Sequence, residues 1–363
     1  MKNIIYRCAL ILMGAFAFTA CSDDDVTNPV TPEVFNSTDG VFILCEGSYF
    51  SGVAGSLSYL DYTTMDMSDG IFLSKNGREL GGTPNDIFIY GSKMYIATTD
   101  ENRVEVVDVN TVQSLGYAEL TQPRKLTACD GYVYVTSYEG IVSRIDTTSL
   151  TIVAKSEKIG GNLEGIATRN GYLYVCNAWN ADYTYNTNVV KLNASDLSKV
   201  KDIEVRTNPA KIIADGTNIY LQSNGNYGDS KSALQKIDAD DNVTVLTEGV
   251  TYMAYYDNKI YYIDSAYDEN WKATYYYGIY DLLTGEKTAL PVGDEVFSPC
   301  AIAVDPNSGV VYISSYVADG YGFAGYTEPG YVVVYHSDGA HTAFTTGVAP
   351  TSFAFKTSTH VSE

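Results

Sequence analysis

A short strand-like run with an aromatic residue at its second position recurs seven times along the 363 residues: Val41-Phe42-Ile43, Met94-Tyr95-Ile96, Val133-Tyr134-Val135, Leu173-Tyr174-Val175, Ile219-Tyr220-Leu221, Ile260-Tyr261-Tyr262 and Val311-Tyr312-Ile313. The aromatics stand 53, 39, 40, 46, 41 and 51 residues apart, a period that fits four-stranded propeller blades joined by loops of variable length. Ahead of every copy but the first lies a shorter strand opened by proline or an apolar substitute: Pro84, Pro123, Leu163, Pro209, Val250 and Pro299. The seventh opening is Pro350, at the far end of the chain. Proline fits there because the first residue of a strand need not donate a ladder hydrogen bond.

We label the strands A (proline-opened), B (aromatic), C and D. Strand C ends at Asp61, Asp108, Asp146, Asn193, Asp238 and Asp281, with His336 in the seventh place. Asx side chains bond backbone two residues on, so this acidic series reads as turn chemistry and not as a catalytic or metal-binding set. An outer strand D follows each turn, as over residues 114–120, 152–159 and 341–346. The first repeat has B, C and D within residues 40–77 but no A, while residues 350–355 are an A strand without a blade. The expected fold is therefore all-β: a seven-bladed β-propeller in which the C-terminal strand completes the first blade in a three-plus-one closure, leaving no open edge around the ring.

In such blades the BC loops and the D-to-A connections share one face, and the AB and CD turns share the other. The BC loops vary in length and carry Tyr49, Phe50, Tyr138, Trp179, Tyr183, Tyr185, Tyr227, Tyr267, Trp271, Tyr275, Tyr316, Tyr321, Phe323 and Tyr326. Variable, aromatic loops on a regular scaffold are where binding sites are built. Polar candidates beside them are Glu46, Asn177 and Asn224, with Asn85 and Arg124 just after the A-strand prolines near the channel mouth. Taken singly, any of these could instead cap a blade top or satisfy a loop backbone.

Acidic residues outnumber basic ones by 44 to 23, a net charge of -21, which repels a phosphate backbone and argues against a nucleic-acid partner. The three histidines, His336, His341 and His360, lie away from the BC loops, so no metal ligand is expected from them. Tyrosine occurs 32 times against 12 phenylalanines, and rings carrying a hydroxyl suit half-wet surfaces better than dry cores. Cys45, Cys129, Cys176 and Cys300 match no zinc or redox spacing and read as buried thiols, although an oxidising compartment would allow two disulfides.

Lys2 and Arg7 precede an apolar run from Cys8 to Phe18, the layout of a secretory signal whose apolar part is shorter than the ~20 residues of a membrane span. Phe18-Thr19-Ala20-Cys21 resembles a bacterial lipobox, which implies lipidation at Cys21. Ser22-Asp23-Asp24-Asp25 resembles the acidic tag that exports lipoproteins of Bacteroidota to the outer face of the outer membrane. The expected layout is a signal over residues 1–20, a lipidated flexible tether over 21–39 and the propeller over 40–363. The membrane is then reached by lipid alone.

The stretches Gly40-Val41-Phe42-Ile43-Leu44-Cys45-Glu46-Gly47, Gly55-Ser56-Leu57-Ser58-Tyr59-Leu60-Asp61 and Pro84-Asn85-Asp86-Ile87, with Lys93-Met94-Tyr95-Ile96, resemble the YncE-like lipoprotein propellers of Bacteroidota grouped as DUF5074. Within that group the chain is most similar to the surface lipoproteins that capture vitamin B12. The resemblance implies a cell-surface protein, lipid-anchored in the outer membrane, that binds cobalamin or another corrinoid as cargo and hands it to a BtuB-like TonB-dependent transporter. It implies no cofactor and no enzymatic activity, and no contact residues carry over from it. The residues allow three other readings. A surface glycan-binding propeller would use the same rings and amides. A docking module would present the aromatic face to the transporter without a small ligand. An enzyme would need a histidine on this face, as in propeller lyases, or paired carboxylates such as Glu46 with Asp264, as in glycosidases.

Overall fold

The computed structural model describes residues 34–361 apart from 268, 270, 271 and 337. The signal, the lipidation site at Cys21 and Trp271 lie outside the described residues. Seven four-stranded antiparallel sheets form the seven blades, and the sheet of blade 1 runs in the order Pro350–Val361, Val34–Cys45, Ser56–Asp61, Asp66–Ser68. The C-terminal strand is thus the innermost strand of the first blade, with Phe355 opposite Val41 and Phe353 opposite Ile43.

Two boundaries differ from the sequence reading. Strand B of blade 1 starts at Val34, inside the segment expected to be a tether, and strand A of that blade runs on to Val361 rather than stopping at residue 355. The extension is a two-stranded ribbon, Val34 opposite Val361 through Thr38 opposite Thr357. Its polar residues pair across the strands: Thr359 Oγ1 donates to Asn36 Oδ1 at 2.8 Å, and Phe35 stacks on His360 at 5.4 Å. Polar composition concealed it, because cross-strand pairs hold a ribbon that buries little. Blade 1 also departs after its short outer strand, where Ile71–Asn76 is a helix. Gly77 ends it at φ 65, a left-handed conformation that suits glycine, and buried Phe72 ties it to Leu44, Leu57 and Leu80.

The recurring aromatic is what joins one blade to the next. Tyr95 packs with Val133 and Val135 of blade 3, Tyr174 with Ile212 and Ile219 of blade 5, and Tyr312 with Val41 and Ile43 of blade 1. Six of the seven rings are no more than 3% exposed; Tyr261 of blade 6 is half-buried. In blades 3 and 4 the hydroxyl also reaches a turn of the next blade: Tyr134 Oη donates to Ala194 O at 3.0 Å and Tyr174 Oη to Asp241 Oδ1 at 2.8 Å, whereas the buried Tyr95 Oη has no partner among the described residues. Part of the tyrosine excess therefore belongs to the core, contrary to the expectation from composition. The Asp-led turns behave as read, Asp146 Oδ1 accepting from the Thr148 and Ser149 amides and Asp281 Oδ1 from Leu283 and Thr284.

Strands A line the channel, and six of the seven carry a register shift just after their opening residue, as between Pro84 and Asp86, Pro209 and Lys211, and Pro299 and Ala301. A bulge inserts one residue, bends the strand and re-aims side chains. The repeated bulge thus sets which groups face the mouth of the channel.

Candidate functional site

The BC loops gather on one face, together with the openings of the A strands. The first strand B ends there at Cys45, so Val34 and the ribbon emerge from the opposite face. At the mouth, Arg124 Nη2 meets Glu164 Oε1 at 2.9 Å and Oε2 at 3.2 Å, its Nε lies 3.3 Å from Oε2, and Tyr138 Oη donates to Glu164 Oε1 at 2.7 Å. The guanidinium sits 4.4 Å from the centre of the Tyr138 ring. Burial first, and then the Glu164 carboxylate, raise the Tyr138 hydroxyl above the ordinary phenol value, so it remains a donor. From Tyr138 the aromatic contacts run outward: Trp179 edge-on at 5.3 Å, then Tyr183 stacked on Trp179 at 5.8 Å and 9°. Tyr185 meets Tyr227 of the next blade at 6.1 Å. An unbroken path of polar and aromatic contacts thus leads from the channel mouth to the rim across blades 3 and 4.

Other predicted rings stand around the same face. Tyr316 and Tyr326 pack edge-on at 5.1 Å, Tyr49 and Phe50 at 5.4 Å, and Tyr275 Oη lies 3.2 Å from Ser298 Oγ. Phe50 is 98% exposed, Tyr321 90%, and Tyr183 and Tyr227 77% each. Tyr267 and Phe323 are also largely exposed. Large rings held in water on a single face mark an interaction surface far better than scattered ones do. The blade 7 loop lines an open hollow of about 640 Å³ beside Asp319, Tyr326 and Glu328. Blade 2 is the gap in the rim: its loop is short and acidic, Asp100 taking a bond from Thr83 Oγ1 and Glu101 Oε1 one from the Gly82 amide at 3.2 Å.

Tyr183 and Tyr227 have φ of 64° and 58°. Bulky side chains seldom adopt the left-handed region; Met65, Val112, Leu150 and Leu197 do so too, in CD turns of the opposite face, so the strain belongs to tight loops and does not single out the rim. Asn177 is 8% exposed and sits beneath its loop: Oδ1 accepts from the Gly161 amide at 2.9 Å and from Asn186 Nδ2 at 3.1 Å, and Nδ2 donates to Asn188 at 2.9 Å. It holds the blade 4 loop in place. Asn224 Oδ1 accepts from Gln222 Nε2 at 2.7 Å.

Glu46 lies inside the mouth, and burial raises its carboxyl above the usual range despite Lys125 and Arg124 nearby. Asn85 Nδ2 reaches Glu46 Oε1 at 3.4 Å, while the buried Asn85 Oδ1 has no partner among the described residues. Glu164, Lys125, Lys211 and Tyr252 also belong to this mouth and were not singled out from the sequence. Each lies one or two positions after an A-strand opening, as Asn85 and Arg124 do, so extending that rule around the ring would have found them. Among the described residues no cluster of His, Cys, Asp or Glu is arranged to hold a metal ion, and no helix is long and apolar enough to cross a membrane. The four described cysteines are unpaired, as expected.

A family model described as "Domain of unknown function (DUF5074)" matches residues 39–256. No curated protein matches the chain. Among solved structures, the chain is similar to a quinoprotein alcohol dehydrogenase-like protein from Bacteroides thetaiotaomicron, at 18% identity over 88% of this chain and 79% of that one, with a TM-score of 0.62. It is also similar to a hypothetical selenium-binding protein from Sulfolobus tokodaii, at 11% identity over 92% and 94% of the two chains and a TM-score of 0.62. A protein from Lactobacillus plantarum aligns at 13% identity over 88% and 99%, with a TM-score of 0.57. At these identities the likeness shows the fold alone.

Proposed function

The chain belongs to the DUF5074 family, and on that premise we propose that it is a non-enzymatic capture protein of the BtuG type. It holds a corrinoid such as cobalamin over the channel mouth and passes it to a BtuB-like TonB-dependent transporter, from a lipid anchor at Cys21 in the outer membrane. The observation that carries this reading is the face itself: water-exposed aromatic rings surround a mouth that holds Glu46, Asn85, Arg124 and Glu164. A corrinoid is a broad macrocycle with apolar methyl edges and many amides. It needs aromatic walls and groups that both donate and accept hydrogen bonds. The ribbon at Val34 emerges from the opposite face, so a tether attached there leaves the aromatic face unobstructed.

The test is calorimetric titration of the chain from residue 22 with cyanocobalamin and cobinamide, beside a glycan panel. One-to-one corrinoid binding that weakens in Trp179→Ala and Tyr227→Ala supports capture by this face. Heat only with glycans transfers the same rings to a sugar-binding role. No heat with either, together with co-purification of a transporter, leaves the docking role.

A further inference from the structure

We propose that Lys125 and Lys211 form an oxyanion site in the channel mouth, inside the aromatic rim, and that it takes the phosphate group of the bound ligand. The inference deepens the capture reading and rests on it for the identity of the ligand. Lys125 and Lys211 each stand two residues after an A-strand proline, Pro123 and Pro209, and so occupy the same level of blades 3 and 5. Gly165, at that level in blade 4, places no side chain between them. The remaining charge at this level, Asp86, is already engaged: Oδ2 accepts from the Leu126 amide at 2.8 Å and Oδ1 from Ser352 Oγ at 3.1 Å. Lys125 Nζ spends one donor on Asn85 O at 2.7 Å. The Lys211 side chain makes no hydrogen bond or ion pair among the described residues. Arg124 does not compete for a new anion, because Glu164 neutralises it in a two-pronged pair.

Two ammonium groups enclosed in one channel repel each other and lose hydration, and at Lys211 only the pull of Asp86 works against this, without an ion pair. Lys211 is solvent-accessible, yet enclosure by the ring, and then Lys125, lower its pKa to about 8 against the pull of Asp86. In a chain with 44 acidic and only 23 basic residues, a carboxylate partner was readily available. A buried-channel ammonium left without an ion-pair partner points to a group supplied from outside. A lysine ammonium meets phosphate as a compact point charge. Cobalamin carries a phosphodiester on its nucleotide arm, and cobinamide lacks it.

The experiment compares cyanocobalamin and cobinamide on the wild type, Lys211→Met and Lys125→Met by calorimetry, with circular dichroism to confirm folding. Inorganic phosphate is titrated in parallel and followed by its phosphorus NMR line. Loss of one charge-assisted contact should weaken cyanocobalamin by about ten- to a hundredfold. Cobinamide should change less than about threefold, so the ratio of the two affinities collapses. An unchanged ratio in both variants overturns the site while leaving corrinoid capture intact. If neither corrinoid binds the wild type, the capture reading fails and phosphate decides: broadening that disappears in Lys211→Met supports the site, and no broadening overturns it.

Discussion

Asp241 offers the sharpest test of how neighbouring blades are joined. It lies in the CD turn of blade 5, 5% exposed, and contacts every strand of blade 4: Arg169 Nη2 at 3.1 Å from strand A, Tyr174 Oη at 2.8 Å from B, Lys191 Nζ at 2.8 Å from C and Lys201 Nζ at 2.8 Å from D. Burial pushes its carboxyl up, but Lys191, Lys201 and Tyr174 outweigh that and bring it from the ordinary 3.8 down to about 2. That drop is worth about 2 to 3 kcal/mol at neutral pH. Its φ of 66° is one that asparagine tolerates, so Asp241→Asn removes the charge while preserving the turn. Because Arg169 is left almost fully buried without its counter-charge, the expected loss is about 2 to 4 kcal/mol. The folded pKa lies below the unfolded one, so the contribution is complete above pH ~4 and fades as the pH falls toward 2. Urea midpoints for wild type and variant should therefore differ widely at pH 7, and the gap should shrink to about a third by pH ~2.5. An equal gap at both pH values, or less than about 0.5 kcal/mol at pH 7, would refute the electrostatic account. Ligand affinity should hold, since the turn is on the face opposite the rim.

Three further outcomes follow from the same structure. Removing residues 350–361 strips blade 1 of its innermost strand and opens the ring, so the truncated chain should show a collapsed melting transition and aggregate on gel filtration. Tyr183→Gly and Tyr227→Gly relieve left-handed backbone at the rim and should each stabilise the fold by about 1 kcal/mol in thermal melts while weakening corrinoid binding; lower stability would deny the strain. Burial pushes the thiols of Cys45 and Cys300 up to about 12, so iodoacetamide at pH 8 should modify the half-buried Cys129 first and reach Cys45, Cys176 and Cys300 only after unfolding, as read by mass spectrometry.

Blade number, closure and the face that gathers the aromatic loops were legible in the sequence because each is written locally. One aromatic wedge and one strand opening recur in every blade and an Asx turn in six of the seven, and alternation of the four strands then dictates which loops share a face. The pairing of Arg124 with Glu164, the facing of Lys125 and Lys211, and the hold of Asp241 on a whole blade were not legible, since they depend on neighbouring strands meeting around the ring at matched heights. The bulge after each A-strand opening matters here, because a one-residue slip in a strand turns every later side chain to the other face. Nor could composition separate Tyr174, sealed between blades, from Tyr183, held out in water on the rim. The sequence by itself determined the scaffold and the face, through short-range patterns that each blade repeats. Only the tertiary structure decided which charges are neutralised and which rings are exposed, because both depend on contacts between residues far apart in the chain.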